Sequence, residues 1–157
     1  MTETLPPPQL EHVCDLAVTI APPVEVGQTT AGLRRMIPIT GGVVTGPRLN
    51  GKVLAGGADF QLILGGGTQA HLDARYVIEL DDGTRVFVQN TALRFASSEN
   101  SQRILRGEPV NPAEVYFRCQ PKLEAAGDKW GWLAESQFIG SGRRAPDGVF
   151  LSFYRVL

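Results

Sequence analysis

The sequence predicts an all-β fold, a single antiparallel β-barrel of about eight to ten strands with one short helix. Three observations predict it. Apolar and polar residues alternate over several stretches, glycine and proline breaks separate those stretches at regular intervals, and no long helical period lies between them. Eighteen of the 157 residues are glycine and eleven are proline, scattered through apolar segments and not gathered into a low-complexity tract. Glycines inside strand patterns, such as Gly42, Gly51, Gly57 and Gly142, suit bulges and sharp corners, which favours a closed barrel over an open sandwich.

Residues 1–11, with Pro6, Pro7 and Pro8, read as a flexible lead-in to one domain spanning 12–157. Cys14, Leu16, Val18 and Ile20 then fall at every second position, the period of a half-buried strand, until Pro22 and Pro23 stop it. Strands are expected at 34–44, with a break near Gly41-Gly42, at 51–55 after the Gly46-Pro47 turn, and at 58–64. Over 71–80, Leu72, Ala74, Tyr76, Ile78 and Leu80 alternate with His71, Asp73, Arg75 and Glu79, which only a strand places on opposite faces. Asp82-Gly83 follows, and Val86 and Val88 resume the register over 85–91, so this pair is a β-hairpin. Helix formers over 98–106, with Ser98 as a cap and Gly107 as a stop, give the short helix. Three further strands are expected at 115–120, 132–139 and 149–156.

A formal net charge of -1 argues against a nucleic-acid binder, and no apolar run reaches membrane-spanning length. No secretory signal pattern opens the chain, so a cytoplasmic setting is the default expectation. Cys14 and Cys119 lie far apart without zinc or redox spacing, leaving a single disulfide open. His12 and His71 have no partner at ligand spacing, and neither a phosphate loop nor a G-x-S-x-G element is present. No metal and no cofactor are implied.

The runs Gly32-Leu33-Arg34-Arg35-Met36-Ile37-Pro38, Gly46-Pro47-Arg48-Leu49-Asn50-Gly51 and Gly56-Gly57-Ala58-Asp59-Phe60 resemble the bacterial and fungal family DUF3237, also catalogued as UPF0311. The resemblance continues through Leu72-Asp73-Ala74-Arg75-Tyr76, Tyr116-Phe117-Arg118, Trp132-Leu133 and Gly140-Ser141-Gly142-Arg143-Arg144, covering nearly the whole chain. It implies a small calycin-like barrel, often a homodimer, in a family whose members mostly lack a known activity. Two departures stand out: Gly65-Gly66-Gly67 replaces an Asp-Gly turn, and Phe60 replaces a common tryptophan in a way that could reshape a pocket.

Among residues able to carry chemistry, Asp59 is the first catalytic candidate. Facing inward, its burial would raise its pKa and suit it to acid–base work; facing a turn, it would cap backbone N–H groups. Arg75 is the second, either a guanidinium that stabilises a phenolate or enolate inside the barrel or part of a solvated row with His71 and Asp73. Arg75 and Tyr76 are adjacent and take opposite faces, as do Arg34 and Arg35. Binding candidates are Arg35, Tyr76, the wall of Tyr116 and Arg118 with Gln120, and Trp132, whose other reading is a plug in the barrel.

These residues suggest a small-molecule-handling barrel. One reading is a cofactor-independent isomerase, lyase, hydratase or cyclase acting on an aromatic or polyketide-like metabolite. A second is a non-catalytic carrier of an apolar ligand, and a third is a purely structural dimerising domain.

Overall fold

The alternation from Leu72 to Leu80 sets the frame of the sheet. In the computed structural model, which describes residues 1–157, those residues lie in the strand Gln69–Leu80, paired throughout with Arg85–Phe95. The hairpin turn closes where the Gly83 N–H donates to the Leu80 carbonyl at 2.8 Å, with Gly83 at φ 86° in the left-handed region that glycine tolerates.

In chain order the strands are β1 (Leu10–Ile20), β2 (Val24–Gln28), β3 (Leu33–Thr45), β4 (Gly51–Val53), β5 (Ala58–Leu64), β6 (Gln69–Leu80), β7 (Arg85–Phe95), β8 (Tyr116–Ala125), β9 (Phe138–Ala145) and β10 (Gly148–Val156). The helix α1 (Ser98–Leu105) joins β7 to β8. β10 pairs with β1, and the sheet runs from there through β9, β8, β7 and β6 to β3, which pairs back onto β1 and closes the barrel. β4 and β5 both lie between β3 and β6, so they share one stave of an eight-strand barrel. All pairings are antiparallel.

Some expected boundaries move. β2 was not foreseen: it continues β1 beyond Pro22-Pro23 along the same side of β3, but its Val24 and Val26 are exposed and carry no core signal. β8 runs through Pro121 to Ala125 because β9 pairs with it only at Arg118 and Cys119, leaving that edge free at a residue without an N–H. Ser97, not Ser98, caps α1, its side chain accepting from the Asn100 N–H at 3.1 Å. The expected strand over 132–139 starts only at Phe138. Before it, the Leu133 N–H donates to the Trp130 carbonyl and the Ala134 N–H to the Gly131 carbonyl, which winds Gly131–Leu133 into a 3-10 turn.

The two ends of the barrel differ. At one, Leu49 from the loop before β4 and Leu133 from the 3-10 turn are 0% and 1% exposed, sealing a core with Ile78, Val86 and Phe153. Cys14 and Cys119 are free and buried, and burial pushes their thiols up to about 12 and about 11. Toward the other end the inward positions turn polar: Arg35, Gln61, Asn90 and Arg94 are all buried. No helix is long and apolar enough to cross a membrane.

Candidate functional site: a polar-walled cavity in the barrel

Strand register brings the polar residues together. Ile37 of β3 faces Asp59 of β5, Arg35 faces Gln61, and Asp59 in turn faces Ala74 of β6. Because paired residues share a face, Arg35, Asp59 and Gln61 project inward with the apolar row Ile37, Ile39 and Ala74. β7 contributes Asn90, Ala92 and Arg94 in the same phase as core residues Val86 and Val88. β9 contributes Arg144, and β8 contributes Phe117.

Apart from Arg35, these groups line a cavity of about 60 Å³, apolar on the sides of Ile37, Leu72 and Leu151 and polar on the side of Asp59. Arg94, Phe117 and Arg144 also border a larger outer groove of about 190 Å³, walled by residues 107–115 and the turn between β9 and β10. They form a neck between the two spaces.

Asp59 is held at both oxygens. Gln61 Nε2 donates to Oδ2 at 2.9 Å, and the Asp73 backbone N–H donates to Oδ1 at 3.0 Å. The second bond occupies a gap in the β5–β6 ladder, where pairing stops after Asp59 and resumes at Leu62. Burial raises the Asp59 carboxyl above its ordinary 3.8, opposed by these two hydrogen bonds and by the positive charge of Arg94. The carboxyl therefore has one feature of each reading offered by the sequence: it faces inward, and it accepts a backbone N–H.

The other polar groups are short of partners. Arg35 Nε and Nη2, Gln61 Oε1, Tyr76 Oη and Asn90 Oδ1 are buried with no hydrogen bond. Arg35 has only a long 3.9 Å contact to the exposed Glu25. Burial lowers the pKa of Arg35, against the opposing pull of Glu25 and Asp59; it also lowers Arg144 and brings Arg94 down to about 10, with repulsion from neighbouring guanidinium groups adding to the effect on these two. Burial drives the Tyr76 phenol well above its ordinary range, so it stays protonated as a donor.

Of the sequence candidates, Asp59 and Tyr76 line this cavity, while Arg35 is buried on the same face opposite Gln61 without lining it. Arg75 does not line it either: it pairs in register with Ala58, projects outward with its side chain 56% exposed, and contacts Asp73 at 3.4 Å. Tyr116 and Arg118 also lie on the outer face, the guanidinium 5.5 Å from the ring centroid, while Phe117 between them points in. Trp132 sits at the sealed end under Arg48, 4.4 Å from its ring, and Arg155, 5.3 Å away. Phe60 is exposed on the outer face, so the exchange noted there leaves the cavity wall untouched.

Sequence reasoning passed over Gln61, Asn90, Arg94 and Arg144. The signal for two of them was present: carrying the Val86, Val88 phase two and six residues beyond Val88 reaches Asn90 and Arg94. Nowhere do three or more His, Cys, Asp or Glu side chains gather closely enough to hold a metal ion.

Comparison with known proteins fits this architecture. A UPF0311 protein of Rhodopseudomonas palustris (strain TIE-1) is 40% identical over 157 residues, the full length of both chains. The crystal structure of a conserved protein of unknown function from Rhodopseudomonas palustris superposes with a TM-score of 0.90 at 37% identity, over 98% of this chain and 100% of that one. The hydroalkoxylation enzyme phnH of Penicillium herquei is 31% identical over 122 residues, 71% of this chain and 80% of the enzyme. The model of the family described as protein of unknown function (DUF3237) matches residues 8–156, and the chain belongs to that family.

Proposed function

We propose that the protein is a cofactor-independent acid–base catalyst that adds an O–H group across a carbon–carbon double bond, or reverses that addition, within one aromatic or polyketide-like metabolite. The observation that carries this reading is Asp59, a carboxyl raised by burial, tethered at both oxygens and facing a small, largely apolar cavity. Similarity to a hydroalkoxylation enzyme supports the same class of reaction.

Protonated Asp59 delivers its proton to one alkene carbon, and the π pair forms the new C–H bond. The substrate hydroxyl closes on the other carbon through an oxygen lone pair. The resulting carboxylate takes the proton that the oxygen sheds, which restores Asp59. Electrons and atoms balance without an oxidant or reductant. Tyr76, held protonated, is placed to donate to an oxygen of the substrate, and the apolar wall excludes water that would compete as nucleophile.

The test is incubation with 2-allylphenol-type substrates, with cyclic ether products separated chromatographically from their isomeric starting materials. Asp59→Asn is expected to lose turnover by about 10²-fold or more while retaining the wild-type circular dichroism spectrum. The apolar lining of the same cavity also suits a carrier. Ligand retention by both proteins, with no turnover on any member of the panel, would favour that second reading.

A further inference from the structure

The cavity holds more positive charge than the acid–base reading requires. Arg94 and Arg144 line it, Arg35 lies close enough for its charge to be felt by both, and Asp59 is the one carboxyl that lines it. Arg94 is 8% exposed and its side chain has neither hydrogen bond nor ion pair; Arg35 is 4% exposed with two of its nitrogens unpartnered. A guanidinium buried with so few partners is costly, and the repulsion of Arg94 by Arg144 and Arg35 adds to that cost, with Asp59 the one opposing charge in the lining. A barrel that needed these positions only for packing would be served by leucine or methionine. Their arrangement fits a site completed by an anion, because a planar oxygen anion can accept paired N–H donors from a guanidinium fork.

We propose that the ligand is an organic carboxylate whose charged group lodges at the neck between Arg94 and Arg144, with Arg35 behind it, and whose ends occupy the two adjoining spaces. Size assigns the ends. An inner space of about 60 Å³ admits only a short unsaturated segment beside Asp59, whereas the outer groove of about 190 Å³ takes the bulk of the molecule. Pro109, Pro112 and Val115 give that groove an apolar wall suited to an aryl or acyl body. The inference rests on this cavity being the ligand site, as in the proposed function, but not on any chemistry at Asp59.

The test is equilibrium binding of cinnamate and its neutral analogue cinnamamide to the full chain, followed by heteronuclear NMR titration. Cinnamate is expected to bind at least about ten-fold more tightly than cinnamamide. Arg94→Met and Arg144→Met, which retain the apolar stem, are each expected to weaken cinnamate about ten-fold and leave cinnamamide within about two-fold. Arg144→Met changes a side chain only partly buried, so it keeps the test decisive should Arg94→Met fail to fold. Equal binding of acid and amide, an undiminished preference in Arg144→Met, or no saturable cinnamate binding up to about 10 mM would overturn the proposal. Turnover that persists without any preference for the acid would remove the carboxylate and leave Asp59 catalysis standing.

Discussion

The ring of Phe117 rests on the bare Cα of Gly142. A Cβ built on that glycine would stand 2.5 Å from Phe117 Cε1 and 2.6 Å from Cδ1. The neck of the cavity is therefore shaped by the absence of a side chain on β9 as much as by the ring on β8. Gly142→Ala is expected to displace the ring, lower stability by about 1–3 kcal/mol and weaken ligand binding at the neck. Urea unfolding and the cinnamate titration measure the two effects; unchanged values in both would mean that the ring moves freely.

Asp59 should make stability depend on pH in a definite direction. An acid whose pKa is raised on folding holds its proton more tightly in the folded chain. Its favourable contribution is complete below the ordinary value of 3.8 and is lost as pH rises through the raised folded value. Asp59→Asn removes that loss. Urea midpoints taken between about pH 4 and pH 7 should show the variant gaining on the wild type as pH rises, and a constant difference would mean that Asp59 titrates as an ordinary carboxyl.

Tyr76 is 4% exposed, and its hydroxyl has no partner. Tyr76→Phe therefore deletes an unsatisfied polar atom and keeps the ring, so stability should fall by less than about 1 kcal/mol or rise. Ile78→Ala, two residues along the same inward row, should cost about 2–5 kcal/mol. If the hydroxyl serves the ligand, Tyr76→Phe weakens binding or turnover with little change in unfolding midpoint.

Arg75→Ala and Arg118→Ala serve as outward-facing controls. The Arg75–Asp73 pair and the Arg118 contact with the Phe117 carbonyl lie on the outer wall, so each substitution should change stability by no more than about 0.5 kcal/mol. Cinnamate affinity should match the wild type in both. A loss comparable to that of Arg144→Met would show that the outer wall takes part in binding.

The barrel itself was legible because strand alternation and glycine breaks record burial directly. The period from Leu72 to Leu80 marked a strand with one face toward the core, and Cys14 to Ile20 did the same. β2 was not legible, since a short strand with exposed valines carries no such record. Trp132 misled because an aromatic followed by apolar residues has strand composition, while the turn depends on backbone hydrogen bonds at Gly131 and Ala134. For the site, alternation guaranteed that one residue of each adjacent pair faces inward. It did not say which until the register of β3, β5 and β6 placed Arg35, Asp59 and Tyr76 on the same side as Ile37 and Ala74. Arg75 lost its place in the cavity by that same parity. Arg144 required the path of β9, whose glycines carry little apolar period.

With Leu49 and Leu133 buried at the far end of the barrel, a ligand of the cavity would come and go beside Arg94, Phe117 and Arg144, which also border the outer groove. If that is the one route, arrival and departure take turns. For a reaction carried out inside, product still in residence blocks the next substrate, so inhibition by product would be competitive and release could govern the turnover rate. The groove outside the neck becomes a waiting room, where changes in residues 107–115 could alter which molecules queue without disturbing the sealed half on which folding depends.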